Sequence, residues 1–294
     1  MRTSQANTAA HEQVRPLTSA DIDDLALDPR RGLDADDVLS LLIQQPGGSF
    51  WHPDSGEFVL VTSWRHRPDL PTIHTISAIH HETALLRAAT EAARQANAAA
   101  LVYVDSYEIR RPAFYVNHAF QRIEDIVTFE LDRPRPEPIQ QRRGVQQFIR
   151  VPIRDTAWIA AVIQVDNDAF PWFWWNTRAE FEAYLQFPGV EVWAGILHDE
   201  VVSYVGFTHY YGWGHLDRIA IRPDHQRRGL GREALSFAID RMVTHGGKRV
   251  ALSTQGNNIK SQKLYLDYGF TSTPVHDYAV YGVVFDPGRV IVHE

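Results

Sequence analysis

The 294-residue sequence predicts an α/β (α+β) fold made of two tandem copies of one plan, each a mixed, mostly antiparallel sheet flanked by helices. Three observations predict it. Apolar strands separated by tight turns form a meander over Val190 to Arg222. A strand, a glycine loop and an amphipathic helix then follow one another over Leu216 to His245. Finally, Phe114-Tyr115-Val116-Asn117-His118-Ala119-Phe120 lines up with Leu264-Tyr265-Leu266-Asp267-Tyr268-Gly269-Phe270 at a spacing of 150 residues, each time after a helix and a strand.

Taken in order, residues 1 to 16 are small, polar and unpatterned, which predicts a disordered tail. The first domain is expected over 17–133. It contains a central strand at Thr72 to Ile79, a helix at Thr83 to Asn97 and a strand at Ala100 to Val104. The Pro-rich run Asp132-Arg133-Pro134-Arg135-Pro136-Glu137-Pro138 reads as extended backbone, so 134–146 is expected to be a linker. The second domain, 147–294, opens with a strand at Phe148 to Ile153 and two helices at Asp155 to Asp168 and Thr177 to Phe187. Strands at Val190 to Leu197, Val201 to His209 and His215 to Arg222 turn at His198-Asp199-Glu200 and Gly212-Trp213-Gly214. Leu230, Ala234, Leu235, Ala238, Met242 and Val243 recur at helical spacing until Gly246-Gly247 stops the helix. A strand at Arg249 to Thr254 and a short helix at Asn258 to Tyr268 complete the pattern.

Composition excludes several classes. With 44% hydrophobic and 11% aromatic residues the chain can bury a core. No run of about 18 apolar residues occurs and no signal-peptide pattern opens the chain, so neither a membrane partner nor export is expected and the default is a cytoplasmic protein, monomer or homodimer. A net charge of −7 argues against nucleic acid, which needs a basic face. The absence of cysteine removes disulfides, thiolate metal sites and a cysteine nucleophile. Fourteen histidines are present, but none has the spacing of a helical metal site such as His-Glu-x-x-His, so no metal is expected.

The loop Gln226-Arg227-Arg228-Gly229-Leu230-Gly231 carries the chemistry. A loop entering a helix leaves the first backbone N–H groups unpaired, and these groups with the helix dipole bind anions. Gly229 and Gly231 allow a tight turn and close approach, while Arg227, Arg228 and Arg232 add charged donors. This reads as a diphosphate cradle. The first copy has His80-His81-Glu82-Thr83 at that point, with no glycine and a repelling carboxylate. Gln141-Arg142-Arg143-Gly144-Val145-Gln146 begins like a cradle but runs into a strand pattern.

With these two motifs the chain resembles the GCN5-related N-acetyltransferase (GNAT) superfamily, whose Gln/Arg-x-x-Gly-x-Gly/Ala loop and Asn…Leu-Tyr-x-x-x-Gly-Phe segment occur here in the same order over roughly residues 147 to 286. The resemblance implies two acyl-CoA N-acyltransferase-like domains, of which the second binds acetyl-CoA as co-substrate. Backbone groups of Ile219, Ala220 and Ile221 would then pair with the pantetheine arm, and Gln226, Arg227, Arg228, Gly229, Leu230, Gly231 and Arg232 would hold the diphosphate. Asn258 would touch the cofactor or cap its helix. Tyr265 stands at the family's tyrosine acid, though an aromatic there also serves a core. His215 stands where several members carry a glutamate base, with Asp217 two residues on and a water chain as the competitor; Ser253 replaces the alternative glutamate.

The resemblance implies direct transfer of acetyl to a primary amine, on a small molecule or a protein N-terminus. Phe170-Pro171-Trp172-Phe173-Trp174-Trp175 would either wall the acceptor site or cover the other domain. The tandem layout with a degenerate first half also resembles the mycothiol synthases. A non-catalytic acyl-CoA-binding sensor or scaffold is the reading from a different class.

Overall fold

The computed structural model describes residues 14–27, 33–106, 110–135 and 146–291. Contacts divide the chain into two units, one formed by Met1–Glu124 with Ala279–Glu294 and the other by Asp125–Tyr278.

From the N-terminus the elements are β1 (Arg15–Pro16), α1 (Ala35–Gln44), β2 (Phe50–His52), β3 (Glu57–Trp64), β4 (Arg67–Ser77), α2 (Glu82–Gln95), β5 (Ala100–Asp105), α3 (Pro112–Asn117) and β6 (Gln121–Asp132). Then come β7 (Gln147–Arg150), α4 (Thr156–Ala169), α5 (Arg178–Gln186), β8 (Val190–Leu197), β9 (Glu200–Tyr210), β10 (Trp213–Ile221), α6 (Leu230–Thr244), β11 (Arg249–Gln255), α7 (Ile259–Tyr268), β12 (Thr271–Ser272) and β13 (Tyr278–Val284).

In the first unit the strands run β1-β2-β3-β4-β5-β13, all antiparallel except the β4–β5 pair. The unbroken apolar run Phe58 to Val61 supplies both faces, as the period of a strand requires. Phe58 and Leu60 pack with Val38 of α1, while Val59 and Val61 pack with Leu85, Leu86 and Ala89 of α2. The expected tail ends earlier than residue 16. Arg15 and Pro16 pair with Trp51 and Phe50, anchored by the buried Leu17; residues 1–13 lie outside the described residues.

In the second unit the order is β6-β11-β10-β9-β8-β7, with β12 also on β6, and only β10 and β11 are parallel. Tyr204 faces Ile159, Val162 and Phe181 of α4 and α5. Val205 and Phe207 face Leu235, Ile239 and Met242 of α6. The strand expected to reach Ile153 stops at Arg150, because Pro152 has no N–H for a ladder.

The division by contacts differs from domains drawn at 17–133 and 147–294. The two copies take each other's last strand. β6, which follows α3 in sequence, pairs with β11 from Ile126 to Asp132, and β13, which follows α7, pairs with β5 from Ala279 to Val284. Residues 125–132 therefore belong to the second unit and 279–294 to the first. Most of the expected linker, 136–145, and the false cradle within it lie outside the described residues. Gln146, its last residue, is buried in the fold.

Candidate active site

β10 pairs with β11 only from Gly214 to Leu216, against Val250 to Leu252. Beyond Leu216 a bulge at Asp217 shifts the register against β9, after which Arg218 to Ile221 follow β9 alone while Ser253 to Gln255 follow β6 alone. An extra residue in one strand bends it and raises its twist. The two parallel strands thus part beside Ile219, Ala220 and Ile221, where β11 no longer pairs with β10.

This edge leads straight into the loop before α6. Arg227 (φ 60°) and Gly229 (φ 85°) both adopt the left-handed region, and Gly229 is the N-cap of α6, with no side chain capping the helix. Successive N–H groups in such a turn form a concavity for anions. A Cβ at Gly231 would meet nothing in the protein closer than Leu264 Cδ2 at 3.6 Å and Ile221 Cγ1 at 3.8 Å. Packing therefore does not demand glycine there, and the contacts show the start of α6, the end of β10 and α7 converging at this point.

Arg227, Arg228 and Arg232 are exposed around the loop. Arg228 Nη2 donates to the Asp224 carbonyl (2.9 Å), and the Arg232 guanidinium lies over the Tyr268 ring. Gln226 is a brace: its Nε2 donates to the Ile221 carbonyl (3.1 Å) and its N–H to the Pro223 carbonyl (3.3 Å).

The bulge also sorts side chains. Leu216 joins the apolar cluster on the α6 face, whereas His215 and Asp217 point to the α4–α5 face, and the extra residue keeps Arg218 on that face too. His215 Nδ1 lies 2.6 Å from Asp217 Oδ1. Asp217 Oδ2 accepts from Thr208 Oγ1 (2.6 Å) and Tyr184 Oη (2.5 Å). Burial, and next to it the Asp217 charge, push the Tyr184 phenol well up, so it stays a donor. With the carboxylate holding Nδ1–H, Nε2 keeps its lone pair and can accept a proton.

Behind this dyad Arg218 meets Asp166 of α4 in a buried pair at 2.9 and 3.1 Å. Tyr204 Oη also donates to Asp166, as does Asn176 N–H (2.9 Å). Arg218 further donates to the Trp174 carbonyl (2.6 Å) and lies 3.7 Å over the Phe170 ring. Trp175 Nε1 donates to the Phe170 carbonyl (2.7 Å). These contacts tie the aromatic run to its own unit.

Tyr265 sits on the other face of the sheet, in the cluster with Leu216, Ile219 and Leu264, and is 4% exposed. Burial pushes its phenol up to about 12, opposed by a hydrogen bond with Ser261. Asn258 caps α7, accepting from Ser261 N–H (3.3 Å), and Nδ2 donates to Thr254 Oγ1 (3.4 Å).

The first unit repeats the strand–helix–strand geometry with different chemistry. At the start of α2 the N–H groups of Ile79, His80 and His81 already donate to Glu57 at 2.8–3.3 Å. Burial raises the pKa of Glu57, but these amides and the His81 ring outweigh it and hold it at about 2. Tyr115, the counterpart of Tyr265, donates to Asp105 and stacks on Tyr281.

Sequence reasoning missed Gln146, Asp166 and Glu57. Gln146 Nε2 donates to the Leu230 carbonyl (3.1 Å) and to Glu233 (3.2 Å), and Ser203 Oγ donates to its Oε1, which docks the first turn of α6 on β9. Asp166 and Arg218 left a signal, as charges inside an apolar helix and an apolar strand; Gln146 and Glu57 left none.

Comparison with known proteins agrees with this layout. Residues 159–270 match the Acetyltransferase (GNAT) family. A mycothiol acetyltransferase of Beutenbergia cavernae is 37% identical over 70 residues, 24% of this chain and 23% of that protein. A ribosomal-protein alanine N-acetyltransferase of Salmonella typhimurium is 38% identical over 60 residues, 20% of this chain and 40% of that protein. The chain thus spans well under half the length of these relatives. In solved structures, a tandem GNAT protein from the clavulanic acid biosynthesis pathway superimposes with a TM-score of 0.58 at 12% identity, over 92% of this chain and 97% of that one. A GCN5-related N-acetyltransferase from Kribbella flavida gives 0.64 at 11% identity, over 95% and 72%.

Proposed function

From the match of residues 159–270 to the Acetyltransferase (GNAT) family, we propose that the chain is an acyltransferase whose second unit carries acetyl from acetyl-CoA to a primary amine by direct attack. The observation that carries this reading is the parting of β10 from β11 beyond Leu216, which leads into an uncapped helix N-terminus with glycines at 229 and 231. An elongated ligand with a diphosphate fits such a groove. Ile219, Ala220 and Ile221 offer backbone groups to its arm; the N–H groups of Leu230, Gly231 and Arg232, with Arg227 and Arg228, offer charge to its diphosphate. Gln226 holds the loop, and Asn258 holds the start of α7.

The co-substrate supplies a thioester. As the amine nitrogen bonds to the acyl carbon and the carbon–sulfur bond breaks, His215 Nε2 accepts the proton the amine gives up. Asp217, held by Tyr184 and Thr208, orients the ring and stabilises the imidazolium. Tyr265, from the opposite face, supplies a proton to the departing sulfur. No cysteine exists to carry an acyl-enzyme. The amine would enter from the α4–α5 face, beside the aromatic run.

Two other readings each have a supporting observation. The relative from Beutenbergia cavernae favours a mycothiol synthase-like acceptor. The deep burial of Tyr265 favours an acyl-CoA-binding sensor without turnover. Titration calorimetry with acetyl-CoA should give one site per chain, lost in Gly231→Glu, which places bulk and negative charge at the diphosphate. Thiol release measured over a panel of amines then separates enzyme from sensor. Two equivalent acetyl-CoA sites, or none, would overturn the proposal.

A further inference from the structure

At the far end of α6 from Gly229, three residues distant in sequence converge. Glu191 of β8, His209 of β9 and His245 at the C-cap of α6 each bring one ligand atom within 4.8 Å of the others. Glu191 Oε1 lies 3.7 Å from His209 Nε2 and 3.6 Å from His245 Nε2. His209 Nε2 is buried without a hydrogen-bond partner.

We propose that Glu191, His209 and His245 bind one divalent transition-metal ion of the zinc class.

The surroundings prepare two of the three ligands. His245 Nδ1 donates to the Arg241 carbonyl (2.9 Å), which places the lone pair on Nε2. Trp193 Nε1 donates to Glu191 Oε2 (2.8 Å) and Arg241 Nη2 to both carboxylate oxygens (3.4 Å each), while Oε1 is the oxygen beside the two imidazoles. Outer partners of this kind fix the tautomer and orientation of metal ligands. Two imidazoles and a carboxylate suit zinc and its neighbours better than magnesium or calcium, which prefer oxygen. Bonds of roughly 2.0–2.2 Å set tetrahedral ligand atoms about 3.4 Å apart. The observed separations to Oε1 are only a few tenths of an ångström longer.

The imidazoles now stack at 4.0 Å between centroids and 28° between planes. A tilt of His245, whose side chain is 41% exposed, aims both lone pairs at one point. Arg150, 4.0 Å from Oε1 and 57% exposed, can withdraw into water as the cation takes its place. A bound ion would fasten the end of α6 to two adjacent strands, with remaining coordination positions open to solvent.

The test uses the full chain, stripped with EDTA and titrated with zinc alone against a chromophoric chelator. One equivalent should bind, Tm should rise, and both effects should weaken by at least about tenfold in affinity in His245→Ala and in Glu191→Gln. Cobalt should give a visible band in the wild type that each variant loses. Because His245 ends a helix at the surface, His245→Ala decides the matter even if Glu191→Gln fails to fold. Absence of stoichiometric binding, or wild-type affinity in His245→Ala, would overturn the proposal.

Discussion

Asp166 and Arg218 illustrate how a buried charge pair is worth less as a source of stability than as a constraint. Asp166 is fully buried and Arg218 is 9% exposed, and together they accept or donate hydrogen bonds to Tyr204, Asn176 and Trp174. Arg218→Met leaves the carboxylate in the core without its counter-ion, so a loss of about 3–5 kcal/mol is expected in urea unfolding, much of it recovered by pairing the change with Asp166→Leu. Tyr265 and His215 call for kinetic tests. A phenol against the leaving sulfur acts only as the thioester breaks, so Tyr265→Phe should lower kcat about 10²–10⁴-fold while acetyl-CoA affinity stays near that of the wild type. His215→Ala should lower kcat by removing the proton acceptor, and Asp217→Asn should lower kcat by releasing the ring. Full turnover in Tyr265→Phe would reassign the acid to water or to the acceptor.

At the scale of the element, α6 and α2 begin with different backbones and opposite chemistry: the α6 N-cap Gly229 is left-handed (φ 85°), whereas the α2 N-cap His81 has φ −110°. No side chain caps the start of α6, whereas the N–H groups of Ile79, His80 and His81 just before α2 donate to Glu57. A second diphosphate would have to displace a carboxylate that several donors hold, which is why one acetyl-CoA per chain is expected. The same contacts make a pH signature. Because the folded-state pKa of Glu57 is depressed from 4.5 to about 2, its contribution is complete above pH 4.5 and disappears as the pH falls through about 2. Glu57→Gln should be less stable than the wild type at neutral pH and lose less on acidification. Unfolding midpoints measured from about pH 6 to about pH 2 check this; parallel curves would show that Glu57 is not the group responsible.

At the scale of the whole molecule, the exchange of last strands makes each half of the sequence incomplete. Residues 147–294 lack β6, so all seven ladder positions of β11 from Arg249 to Gln255 would lose a partner, and β13 would be carried without β5. Exposed strand edges of this length invite aggregation. The fragment 147–294 should be insoluble, whereas 125–278, which keeps β6 and omits β13, should remain in solution and bind acetyl-CoA; light scattering and calorimetry on the two compare them directly. No helix among the described residues is long and apolar enough to cross a membrane.

Local pattern by itself determined α2, α4, α5, α6 and α7, the strands β4, β5 and β7 to β11, and the glycine loop between β10 and α6 that the start of α2 lacks, because periodicity, caps and glycine are properties of neighbouring residues; it left α1, β1 to β3, β6, β12 and β13 unplaced. It placed His215 beside Asp217 and Asn258 at a helix start for the same reason. The tertiary structure decided what depends on residues far apart in the chain. Strand pairing chose β6 for β11 and β13 for β5, since hydrogen bonds along a ladder carry no sequence address. Gln146 docking on α6, Glu57 filling the start of α2, and Glu191 meeting His209 and His245 arise from side chains on separate elements. Their chemistry is ordinary until folding brings their atoms within a few ångströms.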